Sequence, residues 1–292
     1  MRIMMLVLGI GCAGCSFATV HGSTTPSSGE PERTITGEAN VQPRVVTTPS
    51  EVPAGPQPAS TAPVSGMVRI PAGVFNMGSN PGENNEKPVH RVSVGAFSID
   101  VTEVTMGAYS ACVNAGKCTT TDVEANKYCN WGKSDRTNHP MNCVDWTQAA
   151  AYCTFADKRL PSEEEWEYAA RGNDGRTYAW GNDAPGDRAC WNGDGNELGK
   201  LKRQNTCSVG SHPSGASAFG VQDMAGNVWE WTSSKSCPYT VESNSCASAA
   251  HIYRGGGWYN AGPLLLRVAR RVGDMPAYRD TSLGFRCAQA IM

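Results

Sequence analysis

The chain has 292 residues, enough for one large domain or two small ones, with a formal net charge of −2 and a sequence pI near 6.2. Basic residues are scattered apart from a short run at Arg267, Arg270 and Arg271, so a nucleic-acid partner is not expected. Twelve cysteines, 32 glycines and eight tryptophans point to a loop-rich domain pinned by aromatic anchors and, in an oxidising compartment, by disulfides.

The amino terminus bears on that compartment. Arg2 supplies a positive start, Ile3 to Ile10 an apolar stretch too short to span a bilayer, and small residues lead to Cys15. Residues 1–15 are read as a signal peptide of the bacterial lipoprotein type, with Ala13-Gly14 before a lipid-accepting Cys15. Cys12 departs from the usual aliphatic residue, and an ordinary secretion signal is the alternative. Export is expected under both. Residues 16–66 are rich in Ser, Thr, Pro, Gly and Val without an apolar period. Such a composition buries too little surface to offset its ordering entropy and predicts a disordered tether. A lipid on Cys15 would then hold a globular domain at a membrane of the bacterial cell envelope, outside the cytoplasm.

One domain is expected over 67–292. Val68, Ile70, Val74 and Phe75 open an extended segment, and Val92, Val94, Phe97 and Ile99 form another. A helix is expected from about Thr147 to Ala156, with Ala149, Ala150, Cys153 and Phe155 facing inward. A second helix starts at Ser162, which with Glu165 forms a capping box behind Pro161, and stops at Gly172. Glu163 and Glu164 favour the positive end of its dipole. Beyond Arg171 the chain is dominated by Gly, Asn, Asp and Ser turns.

Several blocks follow one another along this domain. The first are Ile70-Pro71-Ala72-Gly73 with Met77-Gly78, Glu86-Lys87-Pro88-Val89-His90 and Thr102-Glu103-Val104-Thr105. Next come Val144-Asp145-Trp146, the long run Lys158 to Gly172, and Trp180-Gly181-Asn182. The last are Asp223 to Trp231, Arg254-Gly255-Gly256-Gly257-Trp258 and Gly284-Phe285-Arg286-Cys287. In this order they resemble the formylglycine-generating (sulfatase-modifying factor) enzymes over essentially all of 67–290. The resemblance implies an α+β fold, irregular and loop-rich, of the C-type-lectin-like, formylglycine-generating enzyme type.

It also implies an activity that these residues do not match. The family oxidises a sulfatase cysteine to formylglycine with copper held on two thiolates, soft ligands suited to the monovalent ion. Those thiolates follow the Gly-Gly-Ser-like turn, where this chain has Gly257, and Asn260 and Pro263 fall roughly where they belong. No cysteine lies between Cys246 and Cys287, so copper is not expected and no catalytic residue is assigned. His90, His139, His212 and His251 share no i, i+4 face and no His-x-His pattern, and each reads as an ordinary hydrogen-bonding residue.

Without Cys12 and Cys15, ten cysteines remain, with no Cys-x-x-Cys among them. The resemblance implies a disulfide Cys153–Cys287, joining the first helix to the final strand. The other eight allow on the order of a hundred pairings. Proximity favours Cys112–Cys118, Cys129–Cys143, Cys190–Cys207 and Cys237–Cys246 as loop staples. The family's second disulfide would fall at Ala170 and Val268, where both partners are absent together.

Structural calcium is also implied by the resemblance, through the carbonyls of Gly226 and Val228 and the carboxylate of Glu230, all hard oxygens. Core anchoring by Trp229 and Trp231, with Glu230 paired to an arginine, is the competing reading. Asn192 is a weaker candidate for the family's other calcium site. Arg254, Arg267, Arg270, Arg271 and Arg286 are expected to pair with acids such as Glu165, Glu167 or Glu230, in preference to forming an anionic-ligand pocket.

The function expected from these features is that of a membrane-tethered, non-catalytic binding or scaffold protein contacting a protein or glycan. The alternative is a divergent enzyme of the formylglycine-generating or pyoverdine-maturation type, acting on an exported protein or peptide. The pyoverdine-maturation branch shares the fold without the copper cysteines. A purely structural envelope component is a third reading.

Overall fold

The structure, a computed structural model, describes residues 66–124, 126–193, 203–241 and 245–291. The expected signal peptide 1–15, with its lipid-accepting Cys15, and the tether up to residue 65 lie outside the described residues.

Each of the two expected extended segments is split in two. Pro71 cannot donate to a ladder, and the chain breaks there into β1 (Met67–Ile70) and β2 (Gly73–Met77). Gly95 and Ala96 separate β3 (His90–Val94) from β4 (Phe97–Asp100). β1 pairs antiparallel with β4, Met67 opposite Asp100, while β2 and β3 form a separate hairpin with Gly73 opposite Val94. On β2 the period is two: Phe75 and Met77 are buried and Val74 is 39% exposed.

A helix absent from the sequence expectation, α1 (Met106–Asn114), follows Thr105, whose Oγ1 accepts from Ala108 N at 3.1 Å. Its buried residues Met106, Tyr109 and Cys112 recur every three positions. α2 (Trp146–Phe155) is capped by Asp145 and Gln148, each side chain bonding the other's backbone N–H. Ala149 and Cys153 face the core as expected. Phe155 does not. Six positions from Ala149 it has rotated off the inner stripe, and it is 41% exposed. α3 (Glu163–Arg171) has the expected box: Ser162 Oγ accepts from Glu165 N at 3.2 Å and Glu165 Oε2 from Ser162 N at 2.8 Å. Gly172, at φ +68°, ends it.

The turn-rich remainder carries the main sheet. β5 (Trp229–Lys235), β6 (His251–Arg254), β7 (Arg271–Asp274) and β8 (Leu283–Gly284) lie in the order β7-β6-β5-β8. The β5–β8 pair is parallel and the others antiparallel. The last strand, β9 (Ala288–Ala290), pairs with β4 on the edge opposite β1. One apolar cluster gathers α1, α2, Trp229, Trp231 and Phe285, and a second gathers Trp166 and Ala169 of α3 with Ile70, Phe75, Met77 and Phe97.

The described residues hold five disulfides: Cys112–Cys118, Cys129–Cys143, Cys153–Cys287, Cys190–Cys207 and Cys237–Cys246. These are the pairs named above. The few helices, short strands and stapled loops make the fold the expected irregular α+β type.

Candidate functional site

β6 runs into a loop that only glycine can make. Gly255 and Gly256 have φ of +104° and +79°. At Gly257 a Cβ would lie 2.6 Å from that of Ser282, which explains glycine where the resemblance implies serine. Asn260 locks the loop from within. Its Oδ1 accepts from Gly257 N at 2.6 Å, its N donates to Gly257 O at 3.0 Å, and its carbonyl accepts from Asn192 N at 3.0 Å. Pro263 opens a single 3-10 turn, Pro263–Leu266. Asn260 is thus a structural amide, 6% exposed, and neither it nor Pro263 supplies a soft donor. With all ten cysteines of the domain in disulfides, these residues do not fit a copper–thiolate site.

Around this loop lies a shelf of aromatic rings. Trp258 is buried, its Nε1 donating to Thr281 O at 3.0 Å, and its ring is 5.7 Å from those of Tyr128 and Tyr259. Tyr259 and Tyr278 are 45% and 38% exposed. Tyr278 stacks at 6.3 Å on Tyr253, which meets Trp229 and Trp231 edge-on at 5.5 and 5.2 Å. The exposed rings therefore stand on buried ones. Burial first, then the carboxylate of Asp280, pushes the Tyr259 and Tyr278 phenols up. At neutral pH they stay protonated and can donate.

In the block from Gly226 to Trp231, Glu230 is paired with Arg286. Glu230, fully buried, takes Arg286 Nε on Oε2 at 2.6 Å and Nη2 on Oε1 at 2.7 Å, and Trp166 Nε1 on Oε2 at 2.7 Å. This is the arginine partner that the competing reading gave Glu230. The Oδ1 of Asn192, the weaker calcium candidate, accepts from the backbone N of Arg203 at 2.6 Å.

Two further acids face Arg286. Neither Oε of Glu103 meets an N–H or hydroxyl donor, and its carboxyl abuts that of Asp223, whose Oδ2 already accepts from Gly210 N at 2.6 Å. Desolvation by burial, followed by repulsion from Asp223, raises Glu103 well above its ordinary value of 4.5. A raised folded value means that Glu103's contribution to stability is fully present below about 4.5 and is lost as pH rises through the raised value. The denaturation midpoint of wild type is expected to fall along that limb, and that of Glu103→Gln to fall less steeply, Asp223 and Glu230 being raised as well; parallel profiles would contradict the raised Glu103.

The remaining arginines are paired as expected, Arg254 with the expected Glu167 and the others with acids outside the expected set. Arg254 bridges Glu163 and Glu167 at 2.6 and 2.9 Å, and Arg271 also takes Glu163 at 2.6 Å. Arg267 pairs with Glu86 at 2.7 Å and Arg270 with Glu83 at 2.9 Å, whereas Glu165 binds Arg159 at 2.6 Å. The histidines do not converge: His90 packs on Tyr239 and His251 on Trp146, and His139 hydrogen-bonds Thr206 and His212 Ser211. Among the described residues no three His, Cys, Asp or Glu side chains are placed to hold a metal ion. The shelf and the Glu103–Asp223 pair escape the sequence reading, because no motif or spacing joins residues so distant in the chain.

Comparison with known proteins agrees with this architecture. Residues 52–291 match the family described as Sulfatase-modifying factor enzyme 1-like domain. The chain is 35% identical to the formylglycine-generating enzyme of Streptomyces coelicolor, over 80% of this chain and 95% of that protein. It is 30% identical to the inactive C-alpha-formylglycine-generating enzyme 2 of Bos taurus, over 76% of this chain and 87% of that protein. A solved structure, PvdO from Pseudomonas aeruginosa, is 28% identical and superposes with a TM-score of 0.63, over 77% of this chain and 94% of that one.

Proposed function

Since the chain belongs to the sulfatase-modifying factor enzyme 1-like family, we propose that it is an exported, membrane-tethered member that binds a protein or glycan partner and does not oxidise cysteine. The observation that carries this reading is the loop after β6, where Asn260 and Pro263 stand at the expected thiolate positions while every cysteine of the domain is in a disulfide. The likeness to a relative named as inactive supports it. The aromatic shelf supplies a contact surface, since exposed tyrosines held by buried rings offer apolar area and hydroxyls at little entropic cost. A sugar ring or an extended peptide suits such a surface.

Mature protein supplied with copper(I), oxygen and a cysteine-containing sulfatase peptide is expected to leave the peptide's mass unchanged. On glycan and peptide arrays it is expected to give discrete binders that are lost in Tyr259→Ala with Tyr278→Ala. That double variant should keep its melting temperature, because exposed side chains contribute within about 0.5 kcal/mol each. Conversion of the peptide would sink the non-catalytic reading, and binding unaltered by the double variant would sink the shelf.

The tether has its own test. Cys15→Ser is expected to abolish incorporation of labelled palmitate and to move the protein out of the membrane fraction. Palmitate incorporation that persists in the variant would place the lipid elsewhere. A second reading, a divergent enzyme acting on an exported protein or peptide, draws support from the likeness to PvdO. Turnover of such a peptide without copper would favour it.

A further inference from the structure

Beside the β2–β3 hairpin, three guanidiniums share two carboxylates. Arg254 bridges Glu163 and Glu167, Arg271 pairs with Glu163, and Arg171 pairs with Glu167 at 3.0 Å. All five side chains are buried, Arg171 the most exposed at 6%. One positive charge in this network therefore has no carboxylate of its own. Buried unpaired charge is costly, and the open side of the network faces a cavity.

That cavity has a volume of about 610 Å³ and lies between the loop after β2, the turn after α3 and the 264–270 segment. Arg171 lines it. Its Nη1 is held by the carbonyls of Asn76 and Gly78 at 3.0 and 2.9 Å, while its Nε–H has no acceptor. The cavity's other cations are already neutralised: Arg267 by Glu86, Arg270 by Glu83 and Arg176 by Asp174. Arg270 nevertheless keeps an Nε–H without an acceptor. Leu264, 67% exposed, and Leu265 give the cavity an apolar side.

We propose that this cavity is a binding site for an organic monoanion, its carboxylate held by Arg171 and Arg270 and its apolar body against Leu264 and Leu265. A single negative charge balances the one uncompensated guanidinium, and a planar carboxylate matches the edge of a guanidinium fork. A phosphate dianion would bring a charge too many, to a lining whose other guanidinium protons are spent on Glu86 and Asp174. The site is separate from the aromatic shelf and does not depend on whether the domain is catalytic.

Calorimetric titration of the purified full chain tests this, with hexanoate, acetate and phosphate as probes at equal ionic strength. Hexanoate is expected to bind at one site per chain, more tightly than acetate, with no competition from phosphate. Leu264→Asp, a substitution on an exposed side chain, should leave the melting temperature unchanged and weaken hexanoate by about tenfold or more, through lost apolar burial and charge repulsion. Arg171→Gln should abolish binding if the variant folds. Absence of hexanoate binding, equal binding of phosphate, or hexanoate affinity untouched by Leu264→Asp would each overturn the proposal.

Discussion

Replacing Arg286 with Met is expected to destabilise the domain by at least about 3–5 kcal/mol, the usual result of removing one partner of a buried ion pair. For a domain of this size that corresponds to a fall in melting temperature of roughly 6–20 °C. The size of the effect follows from what the guanidinium holds. It takes both oxygens of Glu230 and donates to the carbonyls of Asp100 and Val101 at 3.1 Å and of Gln222 at 2.9 Å. It is also the cation that faces Glu103 and Asp223. Methionine fills a similar volume but leaves those acids repelling one another and removes a donor from each of three carbonyls. Arg286→Lys should fare little better, because an ammonium cannot donate to both carboxylate oxygens and reach the carbonyls at once. Adding Glu230→Leu to Arg286→Met should recover part of the loss, since the uncompensated charge is then removed. Chemical denaturation of the four proteins checks this. A cost below about 1 kcal/mol for Arg286→Met would mean that solvent reaches the cluster and that the ion pair behaves as a surface one.

The same cluster shows where sequence reading works and where it stops. Capping is a local matter, so Ser162, Glu165 and Gly172 announce α3 within a few residues of each other. Staple disulfides are local too, which is why proximity suffices for Cys112–Cys118 and Cys237–Cys246. The thiolate positions are legible because a cysteine cannot be mistaken for asparagine or proline. Glu230 is different. Its oxygens suit calcium or an arginine equally well in the sequence, and the approach of Arg286 from beyond β8 is visible only in the structure. α1 is missed for a subtler reason. Its apolar positions Met106, Tyr109 and Cys112 are interrupted by Gly107 and Ser110, so the period is thin and the cap at Thr105 carries no acidic partner. The shelf depends on tertiary structure throughout, as Tyr128, Tyr259 and Tyr278 come from three separate loops.

Removing the Cys153–Cys287 disulfide is the second change expected to be severe. The bond spans 134 residues of sequence and joins α2 to the residue before β9. On the chain-entropy account a loop of that length contributes about 4–5 kcal/mol by restricting the unfolded ensemble. The other four bonds close only 6 to 17 residues, for which the same account gives roughly 2–3 kcal/mol each. Both sulfurs are fully buried against Tyr109 and Phe285 in the first apolar cluster, so the paired substitution Cys153→Ala with Cys287→Ala also leaves a small cavity. The paired variant should therefore melt well below wild type, and further below than Cys112→Ala with Cys118→Ala, which frees only the end of α1. The ranking is the diagnostic part. If the bond acts through the unfolded chain, refolding should slow more than unfolding accelerates, because native packing around the site is nearly intact. Equal losses in the two paired variants would refute the dependence on loop length and assign the stability of the domain to its packing and buried ion pairs.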